Sequence, residues 1–286
     1  MMAHKKPQSA RLIITQLAER LQQVGNPSAR RDATLILQMA MSSAEPVLSH
    51  HDILLDEKAH AELESLMTKR LAGCPVSRLR GFREFYSLDF WLNEATLDPR
   101  PDSECLVEAA ILHIADNRYH ICDFGTGSGC LLIATLAHCK NAKGTGLDLS
   151  ERAIAQAQEN AAYHKLDNMA HFAVSDWDSA LQADETFDVI LANPPYIPLD
   201  EAASLSPEVR DFDPPLALYG GQNGLQAYEI LLPIIARRLV PSGHCFLEIG
   251  KGQEDDITRF AHKAGLSLVR QIKDLGGIIR CLDFIK

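Results

Sequence analysis

The sequence predicts an α/β protein: a small N-terminal helical bundle, then a parallel sheet with helices on both faces. Three observations carry this. The hydrophobic spacing changes near residue 72, strand-like and helix-like segments alternate from Asp102 onward, and the run Val189–Ala192 has no polar face at all. A strand apolar on both sides lies inside a sheet that is covered twice, and alternation of the two periods is the mark of βαβ units.

The elements follow in order. In "SARLIITQLAERLQQVG", "SARRDATLILQMAMSS" and "DEKAHAELESLMTKRLAG" apolar residues recur at three and four, so residues 1–72 read as a helical bundle. Residues 73–101, with Pro, Gly, aromatics and partial alternation in "REFYSLDFWLNEA", read as a linker and β-hairpin. Within 102–286 the segments "DSECLVEAAILHIA", "HICDF", "GCLLIATLAHC", "GTGLDLS", "ERAIAQAQENAAYH", "FDVILAN", "LQAYEILLPIIARRL", "HCFLEIG" and "QEDDITRFAHKAG" alternate helix and strand.

Bulk properties exclude several classes. Residues 1–83 hold 12 Lys/Arg against 8 Asp/Glu, net +4, and the remainder 16 against 30, net −14. So acidic a catalytic part is a poor surface for nucleic-acid backbone, and no direct nucleic-acid substrate is expected. The seven cysteines form no C-x-x-C pair and read as reduced core thiols; the eleven histidines show no metal-ligand spacing, so no metal is expected. The first residues, with Lys5 and Lys6, are followed by no apolar run, and no stretch reaches the roughly 18 apolar residues of a membrane span. A cytoplasmic protein without membrane contact is expected.

The chemistry belongs beyond the carboxyl ends of the strands. A strand ending near Phe124 runs into Gly125, Thr126, Gly127, Ser128 and Gly129 and then a helix, where glycines allow close approach of a ligand and the helix offers free N–H groups. A dinucleotide loop would need a third glycine where Cys130 stands, and tight packing is the plainer alternative. Asp148, 19 residues after Gly129, is placed to accept ribose hydroxyls; it could also cap the helix that starts near Glu151, although Ser150 is available for that. At the end of the apolar strand stands Asn193-Pro194-Pro195-Tyr196. The prolines stiffen the chain and lack N–H groups, so they could simply end a strand. Alternatively, the Asn193 side-chain oxygen and the Pro194 carbonyl could accept the two protons of a planar NH2 group and Tyr196 could cover its face. Asn is no general base, so such a site needs a strong electrophile, such as a sulfonium methyl.

"DFGTGSG", "GLDLS" and "NPPYI" resemble the S-adenosylmethionine-dependent methyltransferases. "GFREFYSLDFWLNEATLDPRPDSE", "NPPYIPLDE", "DFDPPLALYGGQNGLQAYEILL", "HCFLEIGKGQ" and "DLGGIIRCLDF" are similar, in order and spacing, to the release factor glutamine methyltransferase family. The resemblance implies a seven-stranded Rossmann-like S-adenosylmethionine methyltransferase sheet behind a helical substrate-recognition domain. It implies an enzyme that transfers methyl from S-adenosyl-L-methionine to the glutamine amide of the GGQ loop of peptide chain release factors; a monomer is expected, although the residues themselves do not fix the oligomeric state. By the same resemblance, Gly125 to Gly129, Asp148 and Asn193 would hold the cofactor and Trp177, which alone reads as core, would lie on its adenine. Asn193, Pro194, Pro195 and Tyr196 would clamp the amide, with Asn193, Pro194 and Tyr196 carrying catalysis. Enzymes that methylate adenine or guanine exocyclic amines share NPPY and form the alternative. Asp102 and Ser103 stand where the family usually has Glu and Thr, and Phe212-Asp213-Pro214 where it has HEP, which leaves the second wall of the pocket and the 198–223 loop without a residue-level account. Gly220-Gly221-Gln222 repeats the substrate tripeptide inside variable text.

Overall fold

The computed structural model describes residues 8–43, 47 and 52–286 and divides into two units, Met1–Gly81 and Phe82–Lys286. Lys5 and Lys6 lie outside the described residues.

In the first unit the three-and-four spacing becomes three helices, α1 (Ala10–Gln23), α2 (Ala29–Ala40) and α3 (Glu57–Leu71). Their apolar stripes meet: Ile13, Leu17 and Leu21 pack with Ile36, Leu37, Leu66 and Met67. Asp56 starts α3 by accepting the Ala59 N–H at 2.7 Å. One buried ion pair ties α2 to α3, Arg70 Nε to Asp32 Oδ2 at 2.8 Å, and Asn26 Nδ2 donates to the same oxygen at 2.8 Å. With its lone pairs occupied in this way, the carboxylate tolerates burial. A short helix, α4 (Val76–Arg80), and a two-residue pairing of β1 (Gln8–Ser9) with β2 (Asp52–Ile53) complete the unit.

The second unit opens with the expected hairpin, β3 (Phe82–Phe85) against β4 (Leu88–Trp91). Its two-residue turn, Tyr86 and Ser87, has φ of 51° and 61°, the left-handed pair whose twist suits tight hairpins. There follow α5 (Glu104–Ile114), β5 (His120–Phe124), α6 (Cys130–His138), β6 (Lys143–Asp148), α7 (Glu151–Tyr163), β7 (Ala170–Val174) and β8 (Phe187–Ala192). After the turns α8 (Pro207–Arg210) and α9 (Pro215–Leu218) come α10 (Gln226–Arg238), β9 (Leu239–Glu248), α11 (Glu254–Lys263), β10 (Ser267–Lys273) and β11 (Ile279–Ile285).

Seven strands form one sheet in the order β10-β11-β9-β8-β5-β6-β7. Helices cover both faces: Leu132, Ile133, Val189 and Phe246 belong to one apolar layer, Ile190, Leu231, Ile235 and Cys245 to the other. That double cover is why Val189, Ile190, Leu191 and Ala192 are each 0% exposed. The sheet is not wholly parallel, which corrects the expectation. β11 runs antiparallel to both neighbours because only a tight turn joins it to β10: Gly277 N–H donates to Asp274 O at 3.0 Å and Ile278 N–H to Asp274 Oδ1 at 2.9 Å. A turn that short cannot carry the chain across the sheet for a parallel return. Two register shifts interrupt the β10 ladder, at Leu268/Arg270 and Ile272/Lys273. β5 has β6 on one side and β8 on the other, so the chain leaves it in opposite directions, and a crevice opens at that reversal.

Candidate active site

The crevice is built from three strand ends. Beyond β5 the loop takes left-handed φ at Gly125, Gly127 and Gly129 (70°, 55° and 80°), which a side chain would resist. The loop is tied down twice: Thr126 N–H donates to Leu147 O at 2.9 Å, and Thr126 Oγ1 to Asp123 Oδ2 at 2.6 Å. Gly129 opens α6, and its backbone lies so close to Ile133 and Ala157 that an added Cβ would stand 2.8 and 3.2 Å from them. Burial pushes the Asp123 carboxyl up to about 7; the Thr126 hydrogen bond opposes the rise and the charge of Asp148 adds to it.

Beyond β6, Asp148 is held in place from both sides. Its Oδ2 accepts the Gly127 N–H and its Oδ1 the Ser150 N–H, each at 2.9 Å. Ser150 does cap α7, its hydroxyl accepting from Ala153 N–H at 3.3 Å, so the carboxylate is not the helix cap. Burial raises the Asp148 pKa, while the two N–H bonds favour the ionised form.

Beyond β8, Asn193 turns its Nδ2 to Ser103 Oγ at 3.4 Å. The prolines that follow are clasped from outside: Ile197 N–H donates to Leu218 O at 2.9 Å, Gly220 N–H to Ile197 O at 3.0 Å, and Gln253 Nε2 to Tyr196 O at 3.1 Å. Gly220 is so close to the Pro195 carbonyl that a Cβ there would sit at 2.5 Å. The Gly220-Gly221-Gln222 tripeptide is therefore part of the brace around NPPY and lies outside the cavity lining. Asp213 anchors the second wall: one oxygen accepts the Asp98 N–H at 3.2 Å and the other pairs with Arg100.

A cavity of about 290 Å³ joins these ends. Gly125, Gly127, Ser128, Asp148, Trp177, Asn193 and Pro195 all line it. Thr126, Gly129, Pro194 and Tyr196 do not: Thr126 faces inward to Asp123, Gly129 packs on α6, Pro194 is buried, and Tyr196 is half-buried against the apolar core. Trp177 is half-buried at the rim with φ 49°, and its carbonyl accepts from Ser175 Oγ at 2.7 Å. Sequence reasoning missed Arg100 and Leu216 on the lining, Gln253 behind it and Glu248 beneath it, and placed Ser103 and Asp213 on the second wall without a role for either. For Glu248 there was a signal, a lone acid at the end of the apolar run "CFLE".

Two family descriptions match, "PrmC N-terminal domain" over residues 13–81 and "Methyltransferase domain" over residues 115–254. A release factor glutamine methyltransferase of Rhodospirillum rubrum is 41% identical over 93% of this chain and 81% of its own length, and one of Agrobacterium fabrum is 37% identical over 96% of each. A methyltransferase structure from Pyrococcus furiosus, 19% identical, covers 80% of this chain and 98% of its own at a TM-score of 0.53, a likeness of fold. With likeness at this level along nearly the whole chain, and with the loop, acid and NPPY ends meeting in one cavity, the protein belongs to the release factor glutamine methyltransferase family.

Proposed function

We propose that the chain methylates the side-chain amide nitrogen of the GGQ glutamine of peptide chain release factors, with S-adenosyl-L-methionine as methyl donor. The observation that carries this is the shared cavity: Asp148 and the glycine loop at one end, Asn193 and Pro195 at the other.

The residues present fit the cofactor. Ser128 Oγ, on the cavity lining, is a buried polar atom without a hydrogen-bond partner, as expected where a polar ligand completes the site. Each Asp148 oxygen uses one lone pair on a backbone N–H and keeps another for a ribose hydroxyl. Gly125 to Gly129, with Thr126 holding the loop in shape, would receive the methionine end, and Trp177 would stack on the adenine. Bound there, S-adenosyl-L-methionine supplies a methyl on a sulfonium whose charge disappears as the methyl leaves.

The protein's part is positioning. With Nδ2 committed to Ser103, Asn193 offers Oδ1 to one amide proton, and the Pro194 carbonyl takes the other. Pro195 lines the cavity beside that carbonyl, and Tyr196, packed against the core, braces the backbone that carries it. The amide nitrogen gains CH3 and afterwards loses one proton to solvent, since Asn193 takes none. The −14 charge of residues 84–286 supports a protein substrate over a nucleic acid, and no described helix is long and apolar enough to cross a membrane. On this reading the enzyme acts as a monomer in the cytoplasm. Labelled cofactor offered with release factor, rRNA and DNA side by side tests the proposal: label is expected on the GGQ glutamine by mass spectrometry, and a methylated nucleobase would overturn it.

A further inference from the structure

An asparagine amide is nearly symmetric in shape and opposite in polarity at its two ends, so a clamp that needs its oxygen must be stopped from turning over. What stops it lies one strand away. Glu248 ends β9, where Ala192 pairs with Leu247, so its side chain stands beside Asn193. It is 2% exposed, and its main-chain oxygen is fixed by the Tyr228 hydroxyl at 2.9 Å. Its carboxyl lies beside the Ser103 hydroxyl and the Asn193 side chain, both of which favour its ionised form, while Oε2 has no hydrogen-bond partner. Ser103 in turn is the group that receives Asn193 Nδ2.

We propose that Glu248 is a positioning residue: directly and through Ser103 it holds the Asn193 amide with its nitrogen turned inward and its oxygen toward the cavity. An ionised carboxylate only accepts, so the chain Asn193 N–H to Ser103 O–H to Glu248 can run in one direction alone. A protonated Glu248 can donate, which permits the reverse chain and presents an NH2 group where the substrate also has one. The proposal rests on Asn193 being the amide acceptor, as argued above.

The groups facing Glu248 decide when the proton leaves. Arg280 and Cys281 come from β11, Asp102 and Cys105 from the α5 entrance, Tyr196 from beyond β8, Tyr228 from α10 and Cys130 from α6. Burial raises the carboxyl to about 7, against the pull of Ser103, Arg280 and Asn193. Turnover should therefore rise with pH to a plateau above about 7.

Glu248→Gln keeps the shape and removes the fixed polarity. It should bind S-adenosyl-L-methionine within threefold of wild type, lose at least tenfold in kcat with KM for release factor little changed, and lose the pH limb near 7. In the cofactor-free protein the Asn193 side-chain amide NMR signals should titrate with a midpoint near 7, and in Glu248→Gln they should not. Full kcat with an unchanged limb, or an Asn193 amide indifferent to the substitution, overturns the proposal. If the wild type methylates no glutamine, the functional reading fails, and the NMR titration alone decides the orientation. Should Glu248→Gln not fold, Ser103→Ala carries the same expectations, and Ser103→Thr, which keeps the hydroxyl, should restore kcat.

Discussion

On the proposed reading Asn193 serves the nucleophile and Asp148 the cofactor, and single substitutions should separate the two jobs. Asn193→Ala should bind S-adenosyl-L-methionine nearly as wild type does and lose on the order of a hundredfold in kcat, measured with saturating release factor, because only the aim of the amide is lost. Asp148→Ala should weaken cofactor binding by about 2 kcal/mol or more in calorimetry, since it strips the ribose partner and frees the Gly127 and Ser150 N–H groups together. Both residues were legible because chain neighbours announce them: an apolar strand ends, and a breaker or a cap follows. Arg100 with Asp213, 113 residues apart, and Gln253 with Tyr196, 57 apart, left no such trace. Their roles come from the way the sheet brings distant loops to one edge. The same holds for Asp213 as an anchor, which in sequence is only an acid before a proline.

Among the elements, the glycine loop carries two different constraints that substitution should pull apart. At Gly129 an added methyl meets Ile133 at 2.8 Å and Ala157 at 3.2 Å in addition to the left-handed backbone, so Gly129→Ala should lose about 2–4 kcal/mol in urea unfolding. At Gly125 nothing lies within 4 Å, so Gly125→Ala should lose only about 1–2 kcal/mol, yet place its methyl by the cavity and lower cofactor affinity at least tenfold. The helices were readable because their stripes are clean, as in α1, where Ile13, Ile14, Leu17 and Leu21 are buried and Leu12 is 51% exposed. β7 and β10 were not singled out. As edge strands they bury little: β10 has no buried residue, and His171 and Val174 of β7 face water. The reversal of β11 depends on the Asp274 turn, whose hydrogen bonds the amino-acid spacing does not display.

At the scale of the molecule, buried acids should set the pH response of stability. Burial lifts the Asp123 and Glu248 carboxyls to about 7 in the folded chain, above the ordinary 3.8 and 4.5. The folded chain thus holds these protons more tightly than the unfolded one, and stability falls as pH rises from about 4 to 7 and levels above. Between about pH 5.5 and 8 urea unfolding should show a loss of roughly 2 kcal/mol per group, and Glu248→Gln should remove one share of it. The division of labour along the chain makes a second expectation. The first unit holds a core of its own, and the residues that line the cavity belong to the second. Removing residues 1–81 should leave S-adenosyl-L-methionine affinity within threefold and raise KM for release factor at least tenfold, as loss of ground-state binding does. The broken β10 ladder has a consequence for the protein in a crowded solution. An open sheet edge is a template for another copy's strand, but here the ladder shifts register at two places and the strand carries an exposed Lys273, while Arg270 pairs with Asp283. Broken register and an exposed lysine both disfavour an edge-to-edge seam, so light scattering of concentrated samples should stay flat, without fibrils or seeding.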